Sequence, residues 1–217
     1  MTVAEDRTIE RLPVNESFAT VADRATVNRT ADALRARNFE ALVADTAAEA
    51  RELVLAMIPA GSEVGQGASV TLDSIGLTAA VAADRYVAIR PRTRAMDRAT
   101  QGREIRKMSA APDVQLNSVQ AVTEDGQIVI ASNTGSQLGP IASGAGKVIL
   151  VVGAQKIVPD LEAAFRRLHE YSFPLEDVRM QLEFGGARSH LRKTLILDGE
   201  FMPGRTTVVL VREPVGV

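Results

Sequence analysis

The segment from Asp113 to Pro159 constrains the fold more than any other part of the chain, because it alternates apolar runs with short polar loops. Its strand-like runs are Val114–Val122, Gln127–Ala131 and Val148–Val152. Apolar runs of this kind are typical of strands that are buried on both faces of a sheet. The polar loops between them follow strand ends, which is where α/β proteins place their binding sites. The segment therefore predicts both a buried sheet and the position of a site.

The rest of the chain alternates mainly between helical and strand-like patterns. Hydrophobic residues make up 46% of the 217 residues, but aromatic residues only 4%, so the core must consist of Val, Leu, Ile and Ala. Such a core suits a sheet covered by Ala-rich helices. We expect an α/β fold with a Rossmann-like layered sheet flanked by helices. Residues 1–38 are predicted to form an N-terminal helical arm, loose over residues 1–16, and residues 39–217 a single α/β domain.

Helical periodicity predicts the layers around this sheet. Thr46 with Glu49 three residues later indicates a capping box at the start of one helix. Pro159 is expected in the first turn of another. The predicted helices are Ala47–Ile58, Leu72–Ala82, Arg92–Met108, Asp160–Tyr171 and Pro174–Glu183. The helix Arg92–Met108 is strongly charged, and we expect it on the surface.

Composition excludes several kinds of site. Cysteine is absent and the two histidines are far apart, so we expect no metal, no iron–sulfur cluster and no other cofactor. A formal net charge of −2 argues against a nucleic-acid partner. The N-terminus lacks the apolar core of a signal peptide, and no apolar run approaches the length of a membrane span. A cytoplasmic protein is expected.

The glycine-rich stretch from Gly65 to Thr71 follows a predicted strand and opens a predicted helix. Gly65 and Gly67 would let the backbone approach a ligand closely, and the Ser69 and Thr71 hydroxyls favour an anion. The stretch is neither a dinucleotide fingerprint nor a phosphate-binding Walker loop. A plain turn with Ser69 or Thr71 as helix cap explains it equally well, so both interpretations stay open.

The T-E-D-G sequence at residues 123–126 lies between two apolar runs. Asp-Gly in this position is a standard hairpin signal, which favours a plain turn. The functional alternative is a strand-end carboxylate that acts as a base or a covalent nucleophile. Glu124 is then the candidate catalytic residue, because Asp125 is the natural turn residue.

A second polar loop, Asn133-Thr134-Gly135-Ser136, follows the next strand. Its small hydroxyl and amide side chains could enclose a phosphate or a carboxylate, although an ordinary turn has the same composition. Lys156, just past a buried strand, could supply the countercharge. A lone lysine is more often simply solvated.

Three segments together resemble the LUD-domain family, the lactate-utilisation proteins. They are G-x-G-x-S-x-T-L-x-x-I-G-L, S-V-Q-A-V-T-E-D-G and V-V-G-A-Q-K-I-V-P-D-L-E-A-A. The resemblance extends from about Thr46 to Leu210 and implies a fold like that of ribose-5-phosphate isomerases, CoA transferases and folate cycloligases. Many short family members carry a cysteine cluster that is missing here, and Gln120 and Ser136-Gln137 also depart from the family pattern.

The resemblance implies a protein of lactate or related organic-acid metabolism that binds a small anionic or nucleotide-like ligand at the strand-end loops. Two alternatives stay open. The first is an isomerase- or CoA-transferase-like enzyme that uses Glu124, and the second is a non-catalytic subunit that docks onto an iron–sulfur or other redox partner. The sequence decides neither whether the chain is an enzyme nor whether it forms a homo-oligomer.

Overall fold

A parallel sheet of six strands forms the centre of the protein. The structure, a computed structural model, describes residues 9–217, so the first part of the predicted loose arm lies outside the described residues. The strands are β1 (Glu40–Ala44), β2 (Glu63–Gln66), β3 (Val87–Ala88), β4 (Val114–Ser118), β5 (Ala121–Thr123), β6 (Ile128–Ser132), β7 (Lys147–Gly153), β8 (Ile157–Val158), β9 (Lys193–Leu197) and β10 (Thr206–Val211). The order in the large sheet is β1-β10-β7-β4-β2-β3, and every neighbouring pair is parallel.

Helices cover both faces of this sheet. They are α1 (Arg24–Ala36), α2 (Ala47–Met57), α3 (Val70–Ser74), α4 (Leu77–Val81), α5 (Ile89–Ala95), α6 (Gly102–Ala110), α7 (Leu161–Arg167) and α8 (Phe173–Glu183). Leu150 of β7 packs in one apolar core with Leu34 of α1. Its neighbour Ile149 packs in a second core with Val54 of α2. Successive strand residues therefore point into different helical layers, and the predicted layered α/β fold is confirmed.

The run Val114–Val122, predicted as one strand, is two strands in two different sheets. Strand β4 ends at Ser118 in the large sheet, and β5 begins at Ala121 in a four-stranded sheet of order β8-β5-β6-β9. The connecting Gln120 is held by the second sheet, because its N–H donates to Val129 O at 3.0 Å and its Oε1 accepts from Ala131 N at 2.7 Å. Strands β5 and β6 are antiparallel, as the Asp-Gly hairpin signal predicts.

Two predicted helices are each interrupted. Leu72–Ala82 is divided into α3 and α4 at Gly76, which has a φ of 73°. Arg92–Met108 is divided into α5 and α6, because the chain becomes extended at Met96 (φ −86°, ψ 145°). Helix α5 also begins earlier than predicted, at Ile89, which shortens β3 to two residues.

The predicted helices Asp160–Tyr171 and Pro174–Glu183 form one continuous helical segment that contains a π-helical turn. Helices α7 and α8 are joined by a π-helical turn at Leu168–Ser172. Asp160, and not Pro159, stands at the cap of α7, where its side chain accepts from Ala163 N at 2.8 Å. Such π turns within helices are frequent at functional sites. Among residues 9–217, no helix has the length and apolar character needed to span a bilayer.

Candidate functional site

A cavity of about 460 Å³ lies at the carboxyl ends of three neighbouring strands of the large sheet. Gly67 follows β2, Asn117 and Ser118 end β4, and Lys156 follows β7 after one short turn; all four line the cavity. The carboxyl ends of parallel strands are the usual place for ligands in open α/β sheets. We call this space the strand-end cavity.

The structure brings most of the predicted binding residues together here. Those that line the strand-end cavity are Gly67, Ser69, Thr71, Asn133, Thr134, Ser136 and Lys156. Gly65 and Gly135 are not among the lining residues. A Cβ on Gly65 would lie 2.4 Å from Gln115 Oε1, so packing inside the sheet accounts for that glycine. Gly135 has a φ of 83°, which lets its loop turn.

Lys156 forms part of the cavity wall and is only 2% exposed. Its Nζ donates to Thr71 Oγ1 at 2.9 Å, to Ser118 Oγ at 3.1 Å and to Val119 O at 3.3 Å. None of the ion pairs found within residues 9–217 includes it. Burial, with a smaller contribution from the Arg167 guanidinium, holds the pKa of Lys156 well below its usual value.

A second buried cation, Arg167, lies behind this lysine. Its side chain donates to Gln120 O, to Gln155 O at 3.2 Å and to Ser172 Oγ at 2.8 Å, while Nη2 is buried without a hydrogen-bond partner. Burial lowers the pKa of Arg167 to about 10. Like Lys156, it has no carboxylate partner in the described part of the chain, so two buried basic side chains lie close together at this site.

The outer wall of the cavity is also cationic. Four arginines line it: Arg90, Arg94, Arg98 and Arg179. Burial and the neighbouring Arg94 guanidinium lower the pKa of Arg90, whose Nη1 donates to Gly67 O at 3.0 Å and so holds the glycine loop. Glu176 also lines the cavity, but it is engaged by Arg179 at 2.7 Å. An adjoining cavity of about 400 Å³ shares Arg90, Arg94 and Arg179 with the first.

The glycine loop and the second polar loop complete the wall. Gly67 packs closely on Asn117, since a Cβ would lie 2.8 Å from Asn117 Oδ1. Ser69 caps α3 by accepting from Leu72 N at 3.3 Å, so the plain-turn interpretation holds for that hydroxyl. Ser132 Oγ accepts from Gly135 N at 2.9 Å and fixes the Asn133–Ser136 turn. Both turns are thus held by hydrogen bonds of their own, and they present hydroxyl and amide groups next to the arginines that line the cavity.

The family comparison agrees with the sequence resemblance. The LUD-domain family model matches residues 27–211. The chain belongs to the LUD-domain family. A crystal structure of a DUF162 family protein from Deinococcus radiodurans is similar, with 15% identity, a TM-score of 0.52, and coverage of 88% of this chain and 98% of that chain. That likeness supports the Rossmann-like layered fold alone, and no curated protein matches the chain.

In this LUD domain, Glu124 is not among the residues that line the strand-end cavity. It occupies the β5–β6 hairpin, where its backbone N–H donates to Val158 O at 2.8 Å and its carboxylate lies 3.5 Å from Arg29. Its side chain is 40% exposed. A chemical role for Glu124 stays a prediction, without contact to the other candidate residues.

The arginines that line the strand-end cavity of this LUD domain are not among the site residues that the sequence predicts. Arg90, Arg94 and Arg98 recur at intervals of four, a spacing that favours one helical face. The predicted surface helix Arg92–Met108 contains Arg94 and Arg98 but not Arg90, and nothing local shows which layer a charged face meets. The described residues contain no group of three or more His, Cys, Asp or Glu side chains that could hold a metal ion.

Lys156→Met should remove a pH dependence of stability. The pKa of Lys156 is well below its usual value in the folded protein, whereas an unfolded lysine has a pKa of about 10.4. Between those pKa values the unfolded chain binds a proton that the folded chain does not. The free energy of unfolding therefore falls as the pH is lowered from about 10.4, by up to about 1.4 kcal/mol per pH unit.

Urea denaturation of wild type and Lys156→Met, from about pH 10 down to about pH 7, measures this difference. Wild type should lose stability relative to the variant as the pH falls. Lys193→Met removes an exposed lysine and should follow the wild-type profile. Parallel profiles for wild type and Lys156→Met would contradict the assigned pKa direction.

Glu124→Gln tests whether the hairpin carboxylate belongs to the site. Because Glu124 does not line the cavity, we expect the affinity for pyruvate and for inorganic phosphate, measured by calorimetry, to stay within about twofold of wild type. The substitution keeps size and turn geometry while it removes the charge. A large loss of affinity would show that the Glu124 carboxylate contributes to ligand binding.

Proposed function

We propose that this LUD-domain protein binds a small organic acid, or another small anion, in the strand-end cavity, and that it serves the metabolism of lactate or related acids. The observation that carries the proposal is the set of arginines in that cavity without an ion pair in the described residues: Arg90, Arg94 and Arg98. The fourth lining arginine, Arg179, is paired with Glu176 and Glu183. The family supports a lactate-utilisation-related protein.

The positive charge of the strand-end cavity contrasts with the balance of the whole chain, in which acidic residues exceed basic ones by two. Arg90, Arg94 and Arg98 are in no ion pair within the described residues. Two unit charges 4 Å apart attract by about 4 kcal/mol at an effective dielectric constant of about 20. An anion in the cavity would therefore be attracted by several cations at once.

The hydrogen-bond donors that line the cavity are also of the types that bind a carboxylate or a phosphate. Arginine presents two parallel N–H groups to a planar carboxylate, and such charge-assisted hydrogen bonds are stronger than neutral ones. The Asn133 amide and the Thr134 hydroxyl supply further polar contacts on the facing loop. The cavity volume of about 460 Å³ lies within the range of small-molecule sites. Binding of a larger, nucleotide-like anion fits the same donors and would extend into the adjoining cavity.

Arginine substitutions test this function. We expect Arg90→Gln and Arg94→Gln to weaken binding of pyruvate, L-lactate or inorganic phosphate, whichever binds wild type, by about tenfold or more, because a hydrogen bond to a charged group contributes about 1.5–3 kcal/mol. Isothermal titration calorimetry measures the affinities. Added sodium chloride should weaken binding to wild type, since salt screens the partly exposed arginines.

Arg103→Gln is the matched control, because Arg103 is exposed on α6 and does not line the cavity. Its affinity should match that of wild type. The proposal fails if none of the three probes binds, or if Arg103→Gln weakens binding as much as Arg90→Gln does.

A further inference from the structure

Lys156 has a feature that anion binding does not use: its amine is a buried nucleophile without an acidic partner. We propose that Lys156 forms an imine with the carbonyl carbon of a 2-oxo acid bound in the strand-end cavity. This inference rests on the proposed function and names the substrate class and the reacting atom of the same site.

The contacts of Lys156 Nζ suit a nucleophile. Its neighbours are the hydroxyls of Thr71 and Ser118, at 2.9 and 3.1 Å, and the Val119 carbonyl at 3.3 Å. A carboxylate would hold the ammonium form, which has no lone pair to attack with. Hydroxyl groups, in contrast, accept a hydrogen bond from an ammonium and donate one to a neutral amine. The two hydroxyl groups can therefore form hydrogen bonds with Lys156 Nζ in both its ammonium and its neutral amine form.

The surroundings also favour the reactive form. Lysine becomes a nucleophile when it is desolvated or stands next to another cation. Both conditions hold here, because Lys156 is 2% exposed and the buried Arg167 lies behind it. The resulting low pKa of Lys156 increases the fraction of neutral amine near neutral pH.

The arginines that line the cavity indicate which class of carbonyl compound would bind next to Lys156. An imine requires a carbonyl carbon, and Arg90, Arg94 and Arg98 on the cavity wall offer a place for a carboxylate. A 2-oxo acid carries both groups. A simple aldehyde or ketone would leave the arginine wall unused.

The step balances without any oxidant or reductant. The Nζ lone pair forms a bond to the carbonyl carbon while the C=O π electrons move to oxygen. The nitrogen loses its protons, the oxygen gains them, and the C–O bond breaks to release one water. The C=N double bond remains, and the Thr71 and Ser118 hydroxyls lie within hydrogen-bond distance of Nζ to carry the protons.

Reductive trapping tests the imine. The full chain is incubated with pyruvate and sodium cyanoborohydride, and intact mass spectrometry is followed by peptide mapping. The four lysines, Lys107, Lys147, Lys156 and Lys193, fall in separable peptides. We expect one reduced pyruvyl group per chain, on Lys156, formed about tenfold or more faster than on the exposed Lys107, since each unit by which a pKa is lowered increases the neutral fraction about tenfold.

Because the peptide mapping is done on the wild-type protein, the test does not depend on whether a Lys156 variant folds. Lys156→Arg, checked by circular dichroism, should lose the adduct, and Lys107→Arg, an exposed residue of α6, should keep it. Inorganic phosphate, which competes for the arginines, should slow the labelling of Lys156 and leave that of Lys107, which does not line the cavity, unchanged.

Labelling spread evenly over the four lysines, or absent from Lys156, would overturn the inference. If calorimetry still detects pyruvate or phosphate in that case, the imine is wrong and the anion-binding function stands. If neither ligand binds, both the imine and the proposed function are wrong.

Discussion

The burial of the Lys156 side chain without a carboxylate is the constraint on which the rest of the site depends. Its three hydrogen bonds connect α3, through Thr71, with the end of β4, through Ser118 and Val119. These elements meet only because β2, β4 and β7 are parallel neighbours whose carboxyl ends point the same way. The order of the strands thus places the Lys156 amine among hydroxyl and carbonyl groups, without a carboxylate partner.

Such an arrangement costs stability. Removing a charged group from water is unfavourable, and a neighbouring cation adds to that cost. Arg167 is the neighbour, and its own Nη2 lacks a partner. A natural protein that keeps this arrangement commonly gains function from it, because sites tuned for binding or chemistry are frequently sites of strain. An anion that enters the cavity would offset part of this cost.

Much of the fold was predictable because its strands are continuous apolar runs. Strands β6 and β7 lie within a residue or two of their predicted bounds, and the loops after them do line the cavity. The division of Val114–Val122 between two sheets was not predictable, since Gln120 leaves one sheet and joins the next through contacts with Val129 and Ala131 that come later in the chain. Arg167 gave no local signal either, because its burial is set by the tertiary position of α7.

The most direct test is the protonation state of Lys156 itself. With four lysines in the chain, ¹³C labelling of the lysine ε-carbons gives a small set of signals whose shifts follow each pKa. In the free protein, Lys156 should titrate well below an ordinary lysine, and inorganic phosphate should raise its pKa, because an anion stabilises the charged form. An ordinary pKa for Lys156 that phosphate leaves unchanged would contradict the account.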